Sequence, residues 1–158
     1  MGKLLVISGA DTGVDSGIKT FRTDTVSGKA MWDEHDIERV CNYQSFVNDP
    51  SCYQETHDFY NKRRQELATV SPNDFHRTVA DLYSKYGKDK VLNITTNVDD
   101  LLERSGIPHK DILHVHGYLP EIVYKREGSK HTLDIGYSSV NLDSVSYTHL
   151  RAHETKAN

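Results

Sequence analysis

Residues Lys3 to Arg22 read KLLVISGADTGVDSGIKTFR, and the fold is decided in this stretch. Lys3 to Ser8 is a short, nearly continuous apolar run, the pattern of a strand buried on both faces of a parallel sheet. Gly9 ends it abruptly. Glycines just beyond such a strand let backbone N–H groups approach a pyrophosphate, which is what a dinucleotide site requires. The spacing is not GxGxxG, so on spacing alone a plain glycine-rich turn is an equal reading.

Outward from that turn, a loop rich in Gly, Asp, Ser and Thr runs to about Lys29, and MWDEHDIERV (31–40) and NYQSF (42–46) read as short helical turns. A structured loop of this length is usually functional. Ser51 to Val70, with Tyr53, Phe59, Tyr60 and Leu67, is compatible with an amphipathic helix. Ser71, Pro72 and Asp74 supply a capping hydroxyl, a first-turn proline and a first-turn acid for the next helix. That helix should carry Phe75, Val79, Leu82 and Tyr83 inward and stop near Gly87. Val91 to Thr95 reads as a second buried strand, Asp99 to Ser105 as a short helix ended by Gly106, and Ile112 to Val115 as a third strand. Strand, helix, strand order predicts an α/β fold, a partial Rossmann-like parallel sheet with flanking helices. After Gly117, LPEIVYK and HTLDIGY joined by REGSK predict a small β-hairpin.

At 158 residues the chain has room for one domain. Its 19 basic and 23 acidic residues leave a net charge of −4, which argues against a nucleic-acid partner. No apolar run is long enough for a membrane span, and no signal-peptide pattern is present, so a soluble, cytoplasmic protein with no membrane partner is expected. Cys41 and Cys52 are too few and too far apart for a disulfide framework or a zinc knuckle.

Three motifs together resemble the sirtuin family. Gly9, Ala10, Ser16, Gly17, Ile18, Thr20, Phe21 and Arg22 match its first loop, approximately GAGISxESGIPTFR, and the likeness continues through Trp32. TTNVDDLLERSG from Thr95 resembles TQNIDxLxxxAG, and HVHG ending at Gly117 resembles LHG, in the same order and spacing. The resemblance implies an NAD-dependent protein lysine deacylase whose substrates are NAD and an acylated-lysine protein. In that chemistry the acyl oxygen attacks the ribose carbon of NAD, nicotinamide leaves, and a histidine activates a ribose hydroxyl for acyl transfer. It needs one imidazole able to take a proton near neutral pH. His116 matches that residue; Asn97 and Asp99 match those that hold the nicotinamide amide and the ribose, and Asp99 could instead cap the next helix. Gly9, Ala10, Asp15, Thr20, Phe21, Arg22 and Thr96 complete the implied NAD site.

Tyr60 and Arg63, one helical turn apart in FYNKRRQEL, resemble the pair with which some sirtuins accept acidic acyl groups such as succinyl. Arginine binds a carboxylate bidentately, and a tyrosine hydroxyl adds a donor. The competing reading puts Arg63 on a charged, solvated face with Lys62 and Arg64. His114 and His116 face the same way on a strand, but no third metal ligand is evident beside them.

The sequence also departs from the family. Asp11 stands in place of a glycine; a carboxylate about 4 Å from a phosphate costs on the order of 4 kcal/mol in a surface-like dielectric. Thr96 replaces a glutamine, Gly13 a serine and Lys19 a proline. The hairpin after Gly117 lacks the family's four zinc-binding cysteines, so no zinc is expected. VSYTHLRAHET (145–155) resembles a sequencing-adapter reading frame. The expected organisation is therefore residues 1–143 as the N-terminal part of a sirtuin-type catalytic domain and 144–158 as a non-native tail. Such a fragment, lacking the remaining strands, is expected to be inactive or aggregation-prone. Two other functions fit the same motifs: an NAD glycohydrolase, and a non-catalytic NAD-binding fragment.

Overall fold

A computed structural model describes residues 2–19, 36–126 and 128–140. In chain order the elements are β1 (Leu4–Ser8), a 3-10 turn (Ala10–Ser16), α1 (Ile37–Val40), α2 (Tyr43–Asn48), α3 (Pro50–Thr69), α4 (Asp74–Tyr86), β2 (Val91–Thr95), α5 (Leu101–Arg104), a second 3-10 turn (His109–Asp111), β3 (Ile112–His114), β4 (Glu121–Arg126) and β5 (Ser129–Asp134). Among the described residues, 2–18 and 70–118 form one unit and 19, 36–69 and 119–140 form another.

The first unit is a parallel three-stranded sheet in the order β1-β2-β3. Leu4 pairs with Val91 and Ser8 with Thr95, while Asn93 pairs with Ile112 and Thr95 with His114. All three strands therefore end at one edge, level with Ser8, Thr95 and His114. Val79 and Ala80 of α4, Leu102 of α5, Ile107 and Ile112 form the core, with Val6, Phe75 and Tyr83 against it. The larger buried side chains, Val79, Leu102, Ile107 and Ile112, contribute roughly 1.5–3 kcal/mol each.

Here the strands differ from expectation. β1 was expected to be buried on both faces, yet Leu5 is 52% and Ile7 69% exposed, as are Leu92 at 43% and Leu113 at 57%. Only the Val6–Asn93–Ile112 face is covered, because the helices of this unit lie on one side. The start of α4 also differs. Asn73, not Ser71, is its cap: the Asn73 side chain accepts from the Phe75 N–H at 3.0 Å, and His76 Nδ1 accepts from the Asn73 N–H at 3.2 Å. This reciprocal pair satisfies two donors that one serine hydroxyl cannot. Gly87, at φ +79°, ends the helix through its N–H to the Tyr83 carbonyl.

The second unit is built on α3, which buries Cys52, Thr56, His57, Phe59, Tyr60, Arg64 and Leu67. Asn42 caps α2 by accepting from the Gln44 N–H. Arg64 is 1% exposed, so it does not share a solvated face with Lys62. Its Nε donates to the Leu119 carbonyl at 2.8 Å and its Nη1 to Asn61 Oδ1 at 3.3 Å, partners that let a guanidinium be buried. Strands β4 and β5 form the expected antiparallel hairpin, with a tighter turn than REGSK implied: Arg126 still pairs with Ser129, and Gly128 at φ +80° sits in the turn. Among the described residues no helix is long and apolar enough to cross a membrane.

Candidate active site

The turn after β1 is fixed by its own backbone. The Thr12 N–H and hydroxyl both donate to the Gly9 carbonyl, at 3.0 and 2.8 Å. Gly9 is extended (φ −147°), and a Cβ there would lie 3.3 Å from Thr96 Oγ1, so a larger residue fits only if that hydroxyl gives way by a few tenths of an ångström. Gly17, at φ +89°, closes the turn with its N–H on the Val14 carbonyl. Ala10, Asp11 and Asp15 are exposed on it.

The segment after β2 is tied to this turn. Thr96 donates its N–H to the Ser8 carbonyl at 3.0 Å and its hydroxyl to the same oxygen at 3.3 Å. Asn97 Nδ2 donates to Thr12 Oγ1 at 3.1 Å, and the Asn97 N–H to Thr95 Oγ1 at 3.1 Å. Asp99 Oδ1 accepts from the N–H of Leu101, the first residue of α5, at 3.1 Å, while Asp100 occupies the N-cap position of that helix. Burial pushes the Asp99 carboxyl up to about 6, against that hydrogen bond and helped by Asp100 and Glu103. From β3, the Val115 N–H donates to the Thr95 carbonyl at 2.9 Å, and His116 follows, exposed, at the same sheet edge.

The structure thus gathers Gly9, Thr96, Asn97 and Asp99 around the ends of β1 and β2, with His116 one residue past the last bond to β2. Thr20, Phe21, Arg22 and Trp32 lie outside the described residues. Beside the turn a cleft of about 810 Å³ is lined by Asp11, Thr12, Asp15, Ser16, Asn73 and Arg77 among others; Asn97, Asp99 and His116 are not on its walls.

Under the strand ends lies a cluster that sequence reasoning missed. Glu103 Oε1 is 2.7 Å from His114 Nε2 and 2.8 Å from His109 Nδ1. Burial opposes charge on Glu103, but its bonds to His114 and His109 outweigh it and hold the carboxyl below its ordinary value. Burial likewise disfavours the His114 imidazolium, and Glu103 more than offsets this, raising the imidazole's pKa. Thr12 was missed too; a short hydroxyl residue three beyond a strand-end glycine is a usable but weak signal.

In the second unit, Tyr60 is buried with its hydroxyl on Cys41 Sγ at 3.7 Å, and burial pushes its pKa well up. Arg63 pairs with Glu66 and lies over the Phe59 ring, 5.7 Å from its centroid.

Residues 9–147 match the family model described as Sir2 family. A Campylobacter jejuni NAD-dependent protein deacylase is 40% identical over 141 residues, covering 89% of this chain and 55% of that protein. A Helicobacter hepaticus protein of the same name is 38% identical over 87% of this chain and 55% of its own length. The chain spans about half the length of the curated relatives it matches. Among solved structures, a Sir2 homologue in complex with NAD superposes with TM-score 0.68 at 28% identity, over 91% of this chain and 51% of that one. A Sir2 homologue–ADP ribose complex gives TM-score 0.70 at 27% identity, with 91% and 53% covered. With residues 9–147, from the strand-end turn through the Asn-x-Asp segment and beyond, matched by that family model, the chain belongs to the Sir2 family.

Proposed function

We propose that residues 1–143 are the N-terminal part of an NAD-dependent protein lysine deacylase, a cytoplasmic enzyme, and that 144–158 are a non-native tail. One observation carries the reading: Asn97 Nδ2 bonds to Thr12 Oγ1, locking the nicotinamide-type loop of β2 onto the glycine turn of β1, with His116 leaving the adjacent strand end. NAD enters as a substrate. Gly9 and Ala10 would face its pyrophosphate, Asn97 would hold the carboxamide and Asp99 the ribose hydroxyls. The acyl-lysine oxygen bonds to the ribose carbon as the bond to nicotinamide breaks. His116 then takes the proton of a ribose hydroxyl, which accepts the acyl group, and water releases free lysine and O-acyl-ADP-ribose. Thr20, Phe21, Arg22, Thr96 and Asp15 belong to the same proposed NAD site, and Tyr60 with Arg63 to an acidic-acyl pocket. The deacylase names of the relatives support this reading.

The test is nicotinamide release by the intact coding region, with succinylated peptide, with acetylated peptide and without peptide. Peptide-dependent release is expected, and steady-state formation of O-acyl-ADP-ribose, the step in which His116 acts, should fall about 10²- to 10⁴-fold in His116→Ala. Equal release without peptide indicates a glycohydrolase, and no release a binding fragment. Either overturns the deacylase assignment.

A further inference from the structure

We propose that Glu103, His109 and His114 form a binding site for a divalent transition-metal ion of the zinc class, buttressing the Asn97 segment from below. The inference does not depend on the deacylase reading. One ligand atom from each residue lies within 4.8 Å of the other two: Glu103 from α5, His109 from the 3-10 turn, His114 from the end of β3. Two imidazoles and a carboxylate are a donor set suited to zinc, with a fourth position left for water.

Hydrogen bonding at His114 leaves a place for a cation beside Glu103. Its Nδ1 is 3.2 Å from the Asn97 carbonyl oxygen, which can only accept, so Nδ1 carries a proton. In the neutral ring Nε2 then presents a lone pair to Glu103 Oε1, 2.7 Å away. Two acceptors at that distance need a cation between them, either a second proton or a metal. Zinc-ligating histidines characteristically donate their other N–H to a backbone carbonyl, as His114 does to Asn97. Glu103 Oε2 is buried with no hydrogen-bond partner among the described residues, so the carboxylate has unused acceptor capacity inside the cluster.

The surroundings allow an ion to enter. Tyr118 packs against both imidazoles, at 4.2 Å from the His109 ring and 4.8 Å from the His114 ring, and closes one side. His109 remains 44% exposed on the other. With metal–ligand bonds of about 2.0–2.2 Å the present N–O separations must open by roughly half an ångström. His109 is the more exposed of the two imidazoles and lies in a short turn, while His114 is held by the sheet.

The site is tested on the whole metal-stripped protein by titration with Co²⁺, read from the d–d absorption of a low-coordinate complex, and with Zn²⁺ in competition. One equivalent is expected to bind. His109→Ala and Glu103→Gln should each weaken it on the order of tenfold to a hundredfold. His131→Ala and the paired change His149→Ala with His153→Ala should leave it unchanged. Zn²⁺ should raise the Tm of the parent and not of His109→Ala, whose metal-free Tm and circular dichroism serve as the folding control. No Co²⁺ complex, or equal affinity in His109→Ala, would overturn the proposal and leave the cluster as a protonated His114–Glu103 ion pair only.

Discussion

Gly17 shows how one residue's backbone fixes the loop that faces the site. At φ +89° a Cβ would find open space, with Val70 Cγ1 3.8 Å away, so any substitution is penalised by conformation and not by a clash. Gly17→Ala is expected to cost about 1–2 kcal/mol in denaturant unfolding, and Gly17→Asn less, because asparagine visits the left-handed region more readily. Equal losses would mean that the turn relaxes. Asp99 sets function against stability. Its carboxyl is pushed up to about 6 by burial, so the native state holds a proton that the unfolded chain has already released. Stability from this group is present below the unfolded value of 3.8 and is lost as pH rises towards 6. Asp99→Asn keeps the acceptor for the Leu101 N–H and removes the buried charge. It should therefore stabilise the protein at pH 7.5 by about 2 kcal/mol, while abolishing any inflection near pH 6 in NAD-dependent turnover. A destabilised Asp99→Asn variant would contradict the burial argument.

Among the elements, strands and long helices were legible in the sequence, because their patterns repeat over many residues. β2 runs over Val91–Thr95 as read, and α3 over Pro50–Thr69 against a predicted start at Ser51. Caps and buried charges were less legible, since they depend on single partners distant in sequence. Nothing near Asn73 announces that His76 will complete its capping box, and Arg64 looks solvent-facing until Leu119, 55 residues on, supplies its carbonyl. The Glu103–His109–His114 cluster was invisible for the same reason: its members come from a helix, a turn and a strand. His57 on α3 gives a prediction at this scale. It is 6% exposed, ringed by Phe46 and Tyr53, and burial, aided by Arg64, lowers its pKa to about 4. Its neutral form is stable above pH 6.5; as pH falls towards 4 the unfolded chain takes up a proton that the folded one refuses. About 2 kcal/mol should be lost between pH 7 and pH 5. Urea unfolding at those two pH values measures it, and in His57→Phe the loss should largely vanish.

For the whole molecule, the sheet poses a question of completeness. A parallel sheet is ordinarily covered on both faces, whereas Leu5, Ile7, Leu92 and Leu113 leave one face apolar and open. Register makes the patch continuous: Leu5 pairs with Leu92, Ile7 with Ile94, and Ile94 with Leu113. The sequence announced Leu5, Ile7 and Leu92 as buried, and that reading follows from hydropathy alone, which cannot say which segment does the covering. If 1–143 are the N-terminal part of a longer catalytic domain, as proposed, further helices of that domain would cover this face. The 158-residue chain alone should then bind a hydrophobic dye and self-associate as its concentration rises, since an apolar patch of this kind is an association surface. Ile7→Thr combined with Leu113→Thr should reduce both signals in the short chain, because neither residue belongs to the covered core. In the intact coding region the same double change should instead destabilise, by about 2 kcal/mol or more, because there both side chains leave a packed interface. A short chain that stays monomeric and dye-silent at high concentration would show that the face is already satisfied, and the proposed organisation would fall with it.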